Sequence, residues 1–338
     1  MKIVALTAGR RNANCEIFTM EALNAAKELG AEVEMIRMLD LEIHSCAVCW
    51  PCPVIMKGAE HCIYKDDAAW LYNKLFDADG FLLAAPCYSL TPPGQLIAIR
   101  DRIMGPRVDI ACNWKMKQMV KNDLTDKFGD MEIDERIFRR KVGAMISVGG
   151  ATTEHWVSLC LASMQTLMFP AQFNVCDQMN VTGVAEDGAA TIFPDLIEQA
   201  RQLGRNMVKS FEVDVPYELN DAIDHKKPYY GPEGYCPMCH QNLMMFYPDS
   251  DKVSCAICGI DGKVSVEDGK VKFTFTEEEM SHSRHLFQGL KDHDDEVFEV
   301  GMAIKDKLPQ IQENRKSYKP LEKEFLIKPP SKQPKAQA

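Results

Sequence analysis

The sequence predicts an α/β protein: a doubly wound, five-stranded parallel sheet followed by a small four-cysteine metal ribbon and C-terminal helices. Three observations carry that expectation. Up to about Ser210, short apolar runs alternate with helix-length stretches, the pattern of a parallel sheet covered on both faces. After Phe211 the alternation stops at a polar linker containing Pro216, Pro228 and Pro232. Beyond the linker, two Cys-x2-Cys pairs stand fifteen residues apart.

The strands are expected at 2–6, 32–36, 80–85, 142–148 and 172–181, each short and mostly apolar, as strands buried on both faces are. Helices are expected at 16–29, 66–76, 94–103, 154–168 and 195–211. The connections 39–65 and 105–141 are too long for plain turns, and loops of that length in compact α/β domains carry function or contacts. The expected divisions are 1–212 for the sheet domain with a cysteine loop at 46–62, then 213–276 for linker and ribbon. A charged helical segment follows at 277–308, preceded by a strand over 270–276. Residues 309–338 hold seven Lys or Arg, three Glu and five Pro, which predicts an extended basic tail.

Composition narrows the class of function. A chain of 338 residues has material for about two domains. Apolar residues make up 46% and charged residues 26%, without an apolar run of the roughly 20 residues that a membrane-spanning helix needs. The net charge of −10 disfavours generic binding to nucleic acid or anionic lipid. Thirteen cysteines are an odd number, and the opening Met1–Arg11 reads as a first strand running into a loop, not as a secretion leader. A reducing, cytoplasmic setting is expected.

Cys46, Cys49 and Cys52 follow Cys-x2-Cys-x2-Cys spacing, with Cys62 nearby. Four thiolates from a single loop suit an iron-sulfur cluster better than a zinc site built from two knuckles; the alternative is a set of buried or redox-active thiols. Trp50, Pro51 and Pro53 would restrict the loop and keep water from the sulfurs. Cys236, Cys239, Cys255 and Cys258 pair as two separated knuckles, which match tetrahedral zinc, with rubredoxin-like iron as the alternative.

The cysteine triplet, then Cys62-Ile63-Tyr64-Lys65-Asp66-Asp67, Asp79-Gly80-Phe81 leading to Pro86-Cys87-Tyr88, and Asp101-Arg102, together resemble the iron-sulfur flavoproteins of the NADPH-dependent FMN reductase group. The resemblance covers about the first 210 residues. It implies a flavodoxin-like fold, FMN at the carboxyl ends of the strands, a [4Fe-4S] cluster beside it, and a homo-oligomer, dimer or tetramer, that brings these groups together.

In open parallel sheets ligands bind outside the carboxyl ends of the strands, so three loops become candidates. Thr7, Gly9, Arg10, Arg11, Asn12 and Asn14 precede the first helix, whose N-terminus suits a phosphate. Pro86, Cys87, Tyr88 and Ser89 end the third strand, where Tyr88 either stacks on the flavin ring or caps the core. Gly149, Gly150 and Thr152 follow the fourth strand and permit close backbone approach. His155 either donates to a substrate or is simply solvated, and Asp101 and Arg102 are expected to act structurally. The reading is an FMN-dependent oxidoreductase passing electrons between flavin, cluster and a redox partner such as ferredoxin, or NAD(P)H. Its alternatives are an NAD(P)H-dependent flavin, quinone or nitro reductase without a cluster, and a non-catalytic zinc-ribbon adaptor.

Overall fold

The computed structural model describes residues 1–49, 52, 57–103, 108–122, 133–139, 141–213 and 228–327. The expected contributions of Trp50, Pro51, Pro53 and Pro216 lie outside the described residues. Two compact units divide the chain, Met1–Asp292 and the residues from His293 onward.

In the first unit, β1 (Lys2–Thr7) leads through a loop into α1 (Asn14–Glu28), then β2 (Glu32–Arg37), α2 (Ala68–Asp77), β3 (Gly80–Pro86) and α3 (Gly94–Ile103). The next elements are α4 (Ile110–Lys121), β4 (Lys141–Val148), α5 (Cys160–Met168), β5 (Phe173–Val181) and α6 (Pro194–Glu212). The five strands pair in parallel in the order β2-β1-β3-β4-β5. β3 and β4 are buried almost throughout, because apolar side chains leave both faces of the sheet. One core layer forms around Leu71, Phe76, Phe81 and Phe173, and the opposite layer around Phe18, Leu82, Ile146 and Met207. In the second layer α6 lies on α1 so closely that a Cβ at Gly204 would stand 1.9 Å from the Ala22 carbonyl oxygen.

Several elements depart from the sequence reading. The connection 105–141 contains the helix α4, started by Asp109, whose carboxylate accepts from the Ala111 and Cys112 amides at 3.0 Å each. The helix expected over 154–168 is broken into a 3-10 turn at Glu154–Trp156 and α5. The break has a packing cause: Val157 fills the space beneath Gly149, where an added Cβ would meet Val157 Cγ1 at 2.2 Å. Gln172, expected in the fifth strand, precedes it with φ of 51°.

The ribbon is an antiparallel sheet of β6 (Met244–Phe246), β7 (Lys252–Cys255), β8 (Asp261–Glu267) and β9 (Lys270–Thr274), followed by α7 (Glu277–Ser281). The chain leading into it closes the open edge of β5. Tyr230 N–H donates to the Cys176 carbonyl at 2.7 Å, Gln178 Nε2 to the His240 carbonyl at 2.9 Å, and Gln165 Nε2 to the Cys239 carbonyl at 3.3 Å. An edge strand left bare would pair with other chains; here the ribbon covers it. Next comes α8 (Phe287–Ala303). The described part of the stretch from 309, expected as an extended tail, is instead largely helical in α9 (Leu308–Lys316) and α10 (Lys319–Phe325), because the prolines 309 and 320 fall in first turns, where no amide hydrogen is needed.

Candidate functional site

Gly9, Arg10, Ala13, Asn14, Cys15, Pro86, Cys87, Tyr88, Val148, Gly150, Val184, Ala185 and Asp187 surround one cavity of about 160 Å³ at the carboxyl ends of β1, β3 and β4. Seven of the thirteen expected flavin-site residues therefore meet there: Gly9, Arg10, Asn14, Pro86, Cys87, Tyr88 and Gly150. The others support its walls. Thr7 ends β1 with its hydroxyl buried and unpartnered, Arg11 pairs with Asp40, and Gly183 packs against Thr152. Asn12, at φ of 55°, donates its amide hydrogen to Glu16 at 2.9 Å. Burial pushes the Glu16 carboxyl up, but the hydrogen bonds from Arg37 and Asn12 outweigh it and hold Glu16 below the ordinary carboxylate range.

Three features fit this cavity to a phosphate-bearing planar ligand. Ala13, the residue before α1, makes no side-chain cap, so the amide hydrogens of the first turn remain for an anion. Gly9, at φ of 105°, approaches Pro86 so closely that a Cβ would lie 3.3 Å from the proline ring. Gly150 faces Ala185, where a Cβ would stand at 3.1 Å. The loop after β5 was not singled out in the sequence, yet Asn14 rivets it to α1, donating to the Glu186 carbonyl at 2.8 Å and accepting from the Ala190 amide at 3.0 Å. Arg10 spans the same wall to Asp187 at 3.0 Å. Nothing in the local pattern around 184–190 announces this, because the partner lies far along the chain.

Tyr88 sits in a tight turn. Its amide hydrogen reaches the Thr91 carbonyl at 2.8 Å and the reverse bond is 3.1 Å, with Ser89 and Leu90 both left-handed at φ of 50° and 74°. Left-handed backbone at two side-chain-bearing residues costs energy and is retained where it places a neighbour. Here it leaves the Tyr88 ring half exposed at the cavity mouth. Beside it, burial pushes the Cys87 thiol up, and its sulfur donates to the Trp156 carbonyl at 3.4 Å.

A larger cleft of about 880 Å³ starts in the loop after β4 and runs along β5. His155 and Ser158 stand at one end, and Gln178, Asn180, Gln202, Asn206, Gln241 and Asn242 give it an amide-rich wall. Asp177 lies within it, accepting from Asn206 Nδ2 at 2.7 Å, and burial pushes its carboxyl above the ordinary range. The cleft escaped the sequence reading because its lining comes from four separate segments of the chain.

The knuckle cysteines behave as expected. Cys236, Cys239, Cys255 and Cys258 are buried, and their sulfurs all lie within 4.8 Å of one another. The contacts between Cys236 and Cys258 (3.5 Å) and between Cys239 and Cys255 (3.6 Å) approach the edge of a tetrahedron with bonds of about 2.3 Å, the length of a zinc-thiolate bond. His240 and Gly259 carry the left-handed turns after each knuckle, at φ of 55° and 77°. The donor set fits a thiophilic ion.

Cys46, Cys49, Cys52 and Cys62 do not gather into a comparable group among the described residues. Cys46 is exposed and the other three are partly buried. The Val48 amide hydrogen points at the Cys46 sulfur at 3.4 Å. The base of the loop is clamped. Arg102, expected to act structurally, forks onto Asp66 at 2.9 and 3.0 Å and donates to the His44 carbonyl at 2.8 Å, while Asp101 pairs with Arg100. Both side chains of the Arg102–Asp66 pair are nearly inaccessible, at 3% and 2% exposure. Tyr64 stacks on His44 and lies beneath the guanidinium.

Comparison with known proteins follows the same division of the chain. Residues 1–179 match the family described as NADPH-dependent FMN reductase. Flavone synthase cfoJ of Aspergillus candidus is 28% identical over 98% of this chain and 99% of its own. The iron-sulfur flavoprotein of Methanosarcina thermophila is 30% identical over 45% of this chain, and the match spans 64% of that protein. A solved structure described as flavone reductase superposes with a TM-score of 0.73 at 26% identity, covering 97% of this chain and 99% of its own. No helix among the described residues is long and apolar enough to cross a membrane.

Proposed function

Because the chain belongs to the NADPH-dependent FMN reductase family and is an FMN-dependent oxidoreductase, we propose that its substrate is a flavone-type planar enone or its dihydro counterpart. The observation that carries this reading is co-extensive similarity. The flavone synthase and the flavone reductase align over nearly the whole chain, whereas the iron-sulfur flavoprotein aligns over less than half of it.

Bound FMN supplies a hydride carrier. The N-terminus of α1 and Arg10 would hold its phosphate and the Tyr88 turn and Gly150 backbone would flank its ring, while Asn14 ties the loop after β5 to α1. The neighbouring cleft shares the loop after β4 with this cavity and receives the substrate. Its amide side chains and Ser158 provide hydrogen bonds to hydroxyl and carbonyl oxygens, and of its ionisable groups His155, in the loop after β4, is the proposed proton donor to such an oxygen, with Asp177 further along β5. NAD(P)H is the proposed donor.

A second reading keeps electron transfer as the main task, through a cluster at Cys46, Cys49, Cys52 and Cys62 and a partner such as ferredoxin. The Val48–Cys46 contact and the Arg102 clamp at the base of the loop favour it. Under this reading the Cys236–Cys258 site holds zinc and only supports the fold. One experiment separates the two: reduce the protein's flavin anaerobically, then add flavone. Rapid reoxidation of the flavin with loss of the flavone absorbance supports the first reading. Reoxidation by oxidised ferredoxin but not by flavone rejects it in favour of the second. Iron, sulfide and zinc counted per chain then identify the metal at each cysteine group.

A further inference from the structure

The cleft beside the flavin cavity is larger and more polar than a flavone requires. Its volume of about 880 Å³ lies near the top of the range of about 300–1,000 Å³ for small-molecule sites. A flavone is flat and largely apolar, with a few oxygens at its edges, and does not match a wall of carboxamides. On α6, Gln199, Gln202 and Asn206 stand three and four residues apart and so share one face over about 10 Å. Gln178 and Asn180 of β5, with Gln241 and Asn242 just after the first knuckle, supply further amides.

These groups are held in order. Arg205 Nε donates to Gln202 Oε1 at 3.0 Å, Gln202 Nε2 to Asn206 Oδ1 at 2.8 Å, and Asn206 Nδ2 to Asp177 Oδ2 at 2.7 Å. Gln241 Nε2 donates in the same way to Gln178 Oε1. The bonds fix which way each amide faces, and each donating –NH2 group has a second hydrogen that they do not use. Charge narrows the ligand. Among the described residues the cleft lining holds Glu154, Asp177 and Glu233 but neither lysine nor arginine. Arg205 and Lys209, on α6, are engaged by Glu198 and by the Tyr230 ring. Oriented amides beside carboxylates suit neighbouring hydroxyls, each of which both donates and accepts, and disfavour a phosphate, sulfate or carboxylate.

Building on the flavone reading above, we propose that the β5 side of this cleft holds a neutral sugar, so that the substrate is a flavone glycoside. The flat rings lie at the flavin end, near His155 and Ser158, and the sugar lies against the amide chain. Hydride and proton still add across the enone double bond, and the glycosidic bond stays intact. The test mixes the full-length protein, its flavin reduced anaerobically, with a dihydroxyflavone, its two monoglucosides and the two matching monoglucuronides. At least one glucoside is expected to reoxidise the flavin with a second-order rate constant at least about tenfold above the aglycone and above its own glucuronide, because only its hydroxyls satisfy the amides. Gln199→Leu together with Gln202→Leu should cut the preference for that glucoside over the aglycone at least about fivefold, with flavin content confirming the fold. Gln199→Leu alone, outside the hydrogen-bonded chain, serves if the double variant loses flavin. A smaller margin over the aglycone or the glucuronide overturns the proposal and leaves the flavone reading standing, as does a preference indifferent to the leucines. Failure of every compound to reoxidise the flavin rejects both.

Discussion

Replacing Arg102 by Ala tests how the cysteine loop is held. The guanidinium makes three hydrogen bonds of 2.8 to 3.0 Å, two to Asp66 and one to the His44 carbonyl, in a site from which solvent is nearly excluded. Removing one member of a buried pair typically costs about 3–5 kcal/mol because the remaining charge stays desolvated. Asp66 keeps backbone donors from His44 at 2.9 Å and Ala68 at 3.2 Å, so the expected loss lies at the lower end, about 3 kcal/mol. Lysine, a point donor in place of a fork, should recover about half of that. The sign of the pH dependence follows from Asp66. Burial pushes its carboxyl up, but Arg102 and the backbone donors outweigh this and hold it below its ordinary value. The pair therefore contributes fully above the unfolded carboxyl pKa of about 3.9 and is lost as pH falls through the lower folded value. Urea unfolding of wild type and Arg102→Ala should differ most at neutral pH, and the gap should close in acid as Asp66 becomes neutral. The four loop thiols should also react faster with a thiol reagent in the variant. A difference under about 1 kcal/mol at neutral pH, or one that does not change with pH, would refute the clamp.

Gly204→Ala should destabilise by at least about 3 kcal/mol in thermal or urea unfolding, since its Cβ would overlap the Ala22 carbonyl of a packed neighbouring helix. Asn14→Ala should cost about 2 kcal/mol and lower flavin retention on gel filtration, because it frees the loop after β5 from α1. Gly150→Val should reduce FMN affinity at least about tenfold by titration, its side chain pressing on Ala185 at the cavity wall. Cys258→Ser should abolish retention of metal at the ribbon and speed hydrogen exchange along β5, whose edge the adjoining chain covers; unchanged exchange there would show that the ribbon folds without its ion.

The sheet, its strand positions and the four-cysteine group of the ribbon were legible in the sequence, because those signals are local. A buried strand is a short apolar run, and a knuckle is two cysteines at fixed spacing. Local spacing likewise marked the loops at 7–14, 86–89 and 149–152, which converge because every parallel strand ends on the same side of the sheet. What the tertiary structure decided involves partners distant in the chain. Arg102 chose Asp66 over the adjacent Asp101, since only Asp66 lies where a guanidinium can be buried and satisfied. Val157 broke a helix that periodicity favoured, because filling the space beneath Gly149 demands a different backbone. The amide-lined cleft and the covering of β5 by the ribbon depend on segments more than 50 residues apart meeting across space. Periodicity and spacing record what a segment can form, whereas desolvation and packing select which of its possible partners it keeps.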